Sequence, residues 1–193
     1  MSAELVSYLS RYMTITEELA DIFLKSSFVR KFPKETVLLR EGDVVQEGYF
    51  ILKGCVRNYM LKDGEDKTIN FFIEEEAIIP IGYGKNVRSE HFLECLEDTV
   101  AVVCVPDEEE RMLAEYPELK SLCLAMSEIM AAKLQESLAR YRTSTAEERY
   151  IDLVEKRPDL LQRIPQYLIA SYLGIKPESL SRIRKRLSRP TRK

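Results

Sequence analysis

The chain has 193 residues, 45% apolar and 32% charged, which is enough for one large or two small packed domains. No stretch reaches the roughly 18 continuous apolar residues that a membrane-spanning helix needs. The N-terminus lacks the apolar core of a signal peptide. The chain has four scattered cysteines and no CxxC pair: Cys55, Cys95, Cys104 and Cys123. This pattern is typical of free thiols in a reducing compartment. We therefore expect a cytoplasmic protein without a membrane partner.

The net charge of −3 is unevenly distributed. Between Arg163 and Lys193, nine basic residues accompany a single acid, Glu178, so this end carries +8 and the remainder −11. A basic end on an acidic body is typical of a protein that binds a polyanion at one end. A solvated charged tail would have the same composition, so charge alone leaves both interpretations open.

The first part of the chain is predicted to be helical and then to change to strands. Residues 1–30 carry an apolar face at helical spacing, with Thr16 as a candidate cap. Between Phe32 and Cys104 the apolar period changes to two, and turn residues separate short runs. Expected strands lie at residues 36–39, 49–52, 55–61, 68–73 and 99–105, with a hairpin turn at Asp63-Gly64. Short strands at this spacing predict an antiparallel roll or barrel.

A long helix is predicted over residues 117–142. It contains no glycine, and its only proline, Pro117, stands at the first position, where a helix tolerates one. Its length, about 39 Å at 1.5 Å per residue, exceeds what the core of a small domain needs. The helix therefore either pairs with its own copy or is buried within one monomer. The apolar stripe that would make this contact is Leu119, Leu122, Met126, Ile129, Met130, Leu134, Leu138 and Tyr141.

Shorter helices are expected on both sides of the long one. Pro106 should start a short helix whose first turn is acidic. Thr145 and Glu148 form a candidate capping box for a helix that ends at Pro158. Residues 159–161 are predicted to make a brief turn.

The most specific pattern lies at residues 166–185. A helix-turn-helix needs a small residue where its helices cross and a glycine four positions later, and Ala170 and Gly174 meet both needs. Pro177 suits the first turn of the second helix, which is predicted over 177–187. Apolar residues that would pin both helices to a core are Ile169, Leu173, Ile175, Leu180, Ile183 and Leu187.

The remaining side chains of helix 177–187 suit contact with DNA. Arginine can pair bidentately with guanine, and glutamate can accept a hydrogen bond from cytosine. The candidates for the groove are Glu178, Ser179, Ser181, Arg182 and Lys185, and those for phosphates are Arg184, Arg186 and Arg189. The alternative is an ordinary helical hairpin with a solvated basic face.

This order of elements, with the segment IASYLGIKPESLSRIRKRL, resembles the Crp/Fnr family of bacterial transcription regulators. Gly42, the strand and turn at 50–54 and the Asp63-Gly64-Glu65 hairpin are similar to a cyclic-nucleotide-binding fold. The resemblance implies an α+β protein with a double-stranded β-helix roll at 1–116, a dimerisation helix at 117–143 and a helix-turn-helix domain at 144–193.

The same resemblance implies the partners. A homodimer would read a roughly palindromic site in double-stranded DNA, with half-sites about one helical turn apart. Glu178 and Arg182 would contact bases, and RNA polymerase is a further candidate partner.

The sequence departs from this family at two places. Members that bind cyclic nucleotides carry Gly-Glu, a short helix and Arg-Ser or Arg-Thr, which hold the cyclic phosphate. Here Glu74-Glu75-Glu76-Ala77 replaces Gly-Glu, and Arg88-Ser89 is out of register with the following strand. If an effector of this kind binds, its residues are Glu76, Arg88 and Ser89, but we expect no cofactor. After Leu187 only six residues remain, too few for most of the β-hairpin wing.

Other functions have less support in the residues. His91 is the only histidine, whereas a cupin-type metal site needs two or three, so no metal is expected. An iron–sulfur sensor needs cysteines near the N-terminus, and the first is Cys55. No catalytic constellation is present, so we expect no enzyme activity. The alternative to a regulator is a ligand- or partner-binding β-roll module whose helix-turn-helix no longer binds DNA.

Overall fold

The computed structural model describes residues 28–117 and 119–188, together with positions 10, 16 and 17. The helices predicted before residue 28 therefore lie largely outside the described residues. Contacts divide the chain into two compact units, residues 1–60 with 70–130 and residues 61–69 with 131–193, as far as these are described. The three-part division at residues 116 and 143 stays a prediction.

The described residues contain an antiparallel β-roll of two four-stranded sheets, as predicted, and the α+β class is confirmed. One sheet has the strand order β1-β8-β3-β6, and the other has the order β2-β7-β4-β5. The strands are β1 Val29–Phe32, β2 Val37–Leu39, β3 Gly48–Lys53, β4 Val56–Lys62, β5 Glu65–Phe72, β6 Ala77–Ile78, β7 Phe92–Cys95 and β8 Thr99–Cys104.

Strand β1 corrects the prediction that helical structure extends to residue 30. Val29 pairs with Val102 and Phe32 with Thr99, so the segment is an edge strand of the first sheet. Strands β6 and β7 were also absent from the predicted set. Both are short, and β6 has only two residues, which is too few to show a period.

Strand β3 is buried on both faces, which explains its continuous apolar run. Tyr49 and Ile51 face the roll interior, where they pack with Val56, Leu93 and Val103 among others. Phe50 and Leu52 lie in a second cluster with Val100 and Leu119. Since Leu119 belongs to the helical part of the chain, this cluster attaches helices to the outside of the roll.

Two tight turns organise the roll. Asp63 and Gly64 both have positive φ values, 55° and 76°, as the type I′ turn of a two-residue hairpin requires, so the predicted turn is confirmed. Gly54 follows β3 at φ 107° and lies against Thr99, which leaves no room for a side chain.

The helices after the roll begin at a proline or at a capping residue in several cases. Thr145 accepts from the backbone N–H of Glu148, whose carboxylate accepts from the backbone N–H of Thr145, so the predicted capping box is confirmed. The predicted turn at 159–161 is wrong, because Pro158 starts a helix as well as ending the previous one. The described helices are α1 Pro106–Glu115, α2 Leu119–Thr143, α3 Ala146–Lys156, α4 Pro158–Arg163, α5 Gln166–Tyr172 and α6 Pro177–Leu187.

No helix among the described residues is both long enough and apolar enough to cross a membrane.

Candidate nucleic-acid interface

Helices α5 and α6 form a helix-turn-helix whose turn is built by backbone hydrogen bonds. The N–H of Ile175 donates to the carbonyl of Ala170 at 3.0 Å, and the N–H of Gly174 donates to Ser171 at 3.0 Å. This is the Schellman arrangement, which needs a left-handed residue after the helix, and Gly174 has φ 69°. Ala170 is fully buried, as expected for the residue where the two helices cross.

The apolar side chains of the motif hold it against its own small core, except Leu187, which was predicted to face the core but is exposed. Leu180 and Ile183 of α6 are buried, as are Leu168 and Ile169 of α5 and Leu173 at its C-cap. Helices α3 and α4 contribute Leu153 and Leu160 to the buried set. The core-facing positions of α6 recur at a spacing of three, so the rest of its surface is left for solvent or a partner.

The outward face of α6 carries the predicted groove-reading residues. Glu178, Ser181, Arg182 and Lys185 are all exposed, and their spacing of three, four and seven places them on one side of the helix. Together with Pro177 they line an open depression of about 550 Å³. Ser179, also predicted for this face, is half-buried. At 1.5 Å per residue the helix is about 16 Å long, and a major groove about 12 Å wide admits such an element.

The predicted phosphate contacts are in different situations. Arg184 is exposed. The Nε of Arg186 donates to Oε1 of Glu147 at 2.9 Å, and Nη2 contacts the other carboxylate oxygen, so α3 already holds this guanidinium. Arg189 lies outside the described residues. Local spacing could not reveal the Arg186 contact, since its partner is 39 residues away.

Hairpin β4–β5 contacts the helix-turn-helix within the same unit. The N–H of Thr68 donates to Oγ of Ser171 at 2.9 Å, and the Ser171 hydroxyl donates to the carbonyl of Asp66 at 3.3 Å. Near the hairpin tip, Lys67 and, to a smaller extent, Lys176 lower the pKa of Glu65. The first helix of the motif thus has a polar partner that lies about a hundred residues earlier in the chain.

Helix α2 is exposed along most of its length. Every residue from 127 to 139 is exposed, including Leu134 (71%) and Leu138 (52%). Leu119 and Met126, both predicted for the apolar stripe, pack instead against the outer cluster of the roll with Phe50 and Val100. The side chain of Leu122 lies outside what the structure describes. The other predicted stripe residues, Ile129, Met130 and Tyr141, are exposed.

Two residues of this exposed surface escaped the sequence prediction. Leu124 (63% exposed) and Ala131 fall on a three-and-four repeat that continues through Leu134, Leu138 and Tyr141. A repeat of this kind is the coiled-coil seam. The repeat is visible in the sequence, but the predicted stripe followed Met126 and Met130 at the neighbouring positions instead.

The side chains predicted to bind a cyclic nucleotide form hydrogen bonds with the backbone of the roll. Nη1 of Arg88 donates to the carbonyl of Gly42 at 2.6 Å. The Ser89 hydroxyl, in a side chain only 7% exposed, donates to the carbonyl of His91. Glu76 accepts from the backbone N–H of Ile73 at 2.9 Å. In this arrangement one N–H of the guanidinium that would neutralise a cyclic phosphate is already bonded to the backbone of the roll.

The thiols of the roll have the character of structural cysteines. Burial, reinforced by the nearby Glu109 carboxylate, raises the pKa of Cys104 to about 11, and burial also raises the pKa of Cys95. Both therefore stay protonated near neutral pH, which makes them poor nucleophiles. In the part of the chain that the structure describes, no group of three or more His, Cys, Asp or Glu side chains could hold a metal ion.

Comparisons with known proteins agree with this architecture. Residues 29–116 match the family model of the cyclic nucleotide-binding domain. A comparison with curated protein sequences finds no match. Residues 29–116 are thus similar to this domain, and the fold of the chain is similar to that of solved Crp/Fnr regulators, so the predicted resemblance is confirmed.

Three solved structures illustrate the similarity of the fold. FixK2 from Bradyrhizobium japonicum is 20% identical with a TM-score of 0.67, over 82% of this chain and 83% of that one. CLP from Xanthomonas campestris, a c-di-GMP-responsive global regulator, is 18% identical with a TM-score of 0.66, over 86% and 89%. The catabolite activator protein of Thermus thermophilus is 17% identical with a TM-score of 0.52, over 96% and 83%.

Proposed function

We propose that the chain is a DNA-binding transcription regulator of the Crp/Fnr type. The observation that carries this proposal is the division of α6 into two faces. Leu180 and Ile183 bury one face, while Glu178, Arg182 and Lys185 stand together on the other. A helix held in this way can enter a major groove without losing its contacts to the domain core.

The charge of this surface supports DNA as the partner. Helix α6 carries Arg182, Arg184, Lys185 and Arg186 against a single acid, Glu178. Basic residues neutralise phosphates and release counterions, which provides affinity without sequence choice. The lone glutamate would weaken such binding unless it makes a specific contact, and cytosine offers the amino group that a carboxylate can accept from. We therefore assign Glu178 and Arg182 to base recognition.

The proposal includes a homodimer joined through α2. Helices in water depend mainly on packing of an apolar face, and the stretch 127–139 is exposed at every position in the described part of the chain. A second copy of α2 would cover the seam formed by Leu124, Ala131, Leu134, Leu138 and Tyr141. A two-fold dimer presents two copies of α6 and so reads a site with two-fold symmetry. RNA polymerase as a further partner stays a prediction.

Cyclic AMP is not part of the proposed mechanism. One N–H of Arg88 already serves the carbonyl of Gly42, and three consecutive acids stand at positions 74–76, where nucleotide-binding relatives carry Gly-Glu. The function proposed here depends on DNA recognition alone and leaves the effector open.

The test of this function has two steps. The full-length protein first selects DNA from a random library, and the binding of the Arg182→Ala variant to the selected site is then compared with that of the wild type. We expect the wild type to enrich a roughly palindromic sequence. Arg182→Ala should lose about 1–3 kcal/mol of binding free energy and discriminate less well at one base pair of each half-site. Titration of all single-base variants of the selected site measures both effects.

Arg142→Ala is the matched control, since Arg142 is an exposed arginine outside the helix-turn-helix. It should leave base discrimination unchanged. Equal loss on every sequence for Arg182→Ala would assign that residue to a phosphate. Failure of the wild type to enrich any sequence would reject the proposed function and favour a ligand- or partner-binding module.

The ion pair between Arg186 and Glu147 leads to a second expected result. Glu147→Gln should release the guanidinium for a DNA phosphate, because a pair whose arginine is 63% exposed is weak. Binding should strengthen, and the slope of log K against log salt concentration should steepen by about 0.9 for the one new contact. Affinity measured over a salt series gives this slope.

Glu155→Gln removes the same charge from an exposed position of the same helix and serves as control. It should leave the slope unchanged. If both variants steepen the slope equally, the effect is one of total charge, and Arg186 is not a phosphate contact.

A further inference from the structure

We infer that Arg149 is a positioning residue that holds the helix-turn-helix at a fixed placement on the end of α2, and that it thereby sets the half-site spacing that the dimer accepts. The inference rests on the proposed function. It concerns contacts within the unit formed by residues 61–69 and 131–193.

One guanidinium connects three elements. Nη1 of Arg149 donates to the carbonyl of Ser144 at 2.7 Å, just beyond α2, and Nη2 donates to the carbonyl of Leu173 at 2.9 Å. The guanidinium also lies over the ring of Tyr141, with 4.8 Å from Cζ to the ring centroid. Since Arg149 itself is on α3, this single side chain ties together α2, α3 and the end of α5.

One of the atoms that Arg149 contacts, the carbonyl oxygen of Leu173, lies at the turn of the motif. Leu173 is the C-cap of α5, directly before Gly174, so its carbonyl lies at the negative end of the helix dipole, where a cation is favoured. The backbone at Gly174 also lies close to α2, since a Cβ at this position would be 3.6 Å from Oη of Tyr141. The turn before α6 therefore lies directly against the last turns of α2.

The chemistry requires arginine and not merely a positive charge. A planar guanidinium donates in two fixed directions while its face lies on an aromatic ring. A lysine ammonium keeps the charge but cannot make both hydrogen bonds and the ring contact in this geometry. Nε of Arg149 is buried and the residue as a whole is half-buried, so the guanidinium is partly shielded from water. Hydrogen bonds in such surroundings are stronger than in water.

The placement of α6 decides which DNA site fits a dimer. Base pairs are about 3.4 Å apart along the helix axis, so a shift of a few ångström at each α6 changes the preferred separation of half-sites by about one base pair. A nearby ion pair, Arg140 with Asp152 at 2.8 Å, joins α2 to α3 but does not reach α5. Arg149 is therefore the residue expected to control spacing.

The test uses full-length protein and a series of DNA duplexes. Each carries two copies of the half-site selected by the wild type, separated by spacers that increase by single base pairs. Relative affinity across the series is measured for wild type, Arg149→Lys and Arg142→Lys, the last being the same substitution at an exposed position. Ratios between spacers do not depend on the fraction of protein that is folded.

We expect Arg149→Lys to lower the preference for the best spacer over its neighbours by about fivefold or more, a typical size for coupling between two elements. Binding to a single half-site should stay unchanged, and Arg142→Lys should match the wild type. If Arg149→Lys does not fold, Arg149→Gln, which keeps a donor without the charge, takes its place.

Unchanged spacer ratios in the Arg149 variant would overturn the inference, and so would an equal loss on all spacers, since that marks a purely structural residue. Both results leave DNA recognition intact. If the wild type selects no half-site, the proposed function itself fails and the inference fails with it.

Discussion

The double substitution Leu134→Glu and Leu138→Glu is expected to convert the protein to a monomer and to abolish specific DNA binding. Burial of a leucine side chain contributes about 1.5 kcal/mol or more, so the four leucines of two paired helices contribute about 6 kcal/mol. Their loss raises the dimer dissociation constant about 10⁴-fold, and four added carboxylates repel each other. Light scattering should give a mass near 22.4 kDa in place of twice that value.

Ala132→Glu with Ala139→Glu is the matched control. Both positions are exposed, like the two leucines, but they lie off the seam of the three-and-four repeat. This variant should stay dimeric and keep the selected DNA sequence. A dimer that survives the leucine substitutions would show that α2 does not provide the interface. Recognition of a palindrome would then require a different dimer interface.

Gly54→Ala is expected to destabilise the roll strongly. A Cβ on Gly54 would lie 2.6 Å from Oγ1, 2.8 Å from Cα of Thr99 and 2.9 Å from the carbonyl oxygen of Asp98. Two of these contacts are to backbone, which cannot rotate away. With φ at 107°, the added strain is about 1–3 kcal/mol and the overpacking about 1–3 kcal/mol. Denaturant unfolding should show a loss of about 2–6 kcal/mol in the free energy of unfolding.

Gly64→Ala separates the two causes. Gly64 also has a positive φ, 76°, but nothing lies within 4 Å of its added Cβ. Its substitution should cost about 1 kcal/mol, from backbone strain alone. Equal losses for the two variants would mean that the backbone around Thr99 relaxes and that the contact at Gly54 has little weight.

The helix-turn-helix could be predicted from sequence because its signals are local. Ala170, Gly174 and Pro177 each have a role set by the backbone within a few residues, and the structure places all three as expected. The Asp63-Gly64 hairpin was predictable for the same reason. Helix α4 was missed since a proline that ends one helix can also start the next, and local pattern does not distinguish the two uses.

The contacts that join elements could not be predicted in this way. Arg186 is 39 residues from Glu147, and Arg149 is 24 residues from Leu173. In sequence each arginine is one basic residue among many. Likewise, the stripe of α2 contained both Leu119, which packs on the roll, and Leu134, which does not. Both are leucines at helical spacing, and only the fold decides which one faces solvent.

The contact of Ser171 with hairpin β4–β5 has a consequence for how the parts of this protein can evolve. The chain passes between its two compact units three times, after residues 60, 69 and 130, so no single cut separates them. A helix-turn-helix transferred to another roll would leave Ser171 without the Thr68 N–H and the Asp66 carbonyl. Recombination of whole modules is therefore constrained, and changes in the hairpin and in the first helix of the motif have to be inherited together.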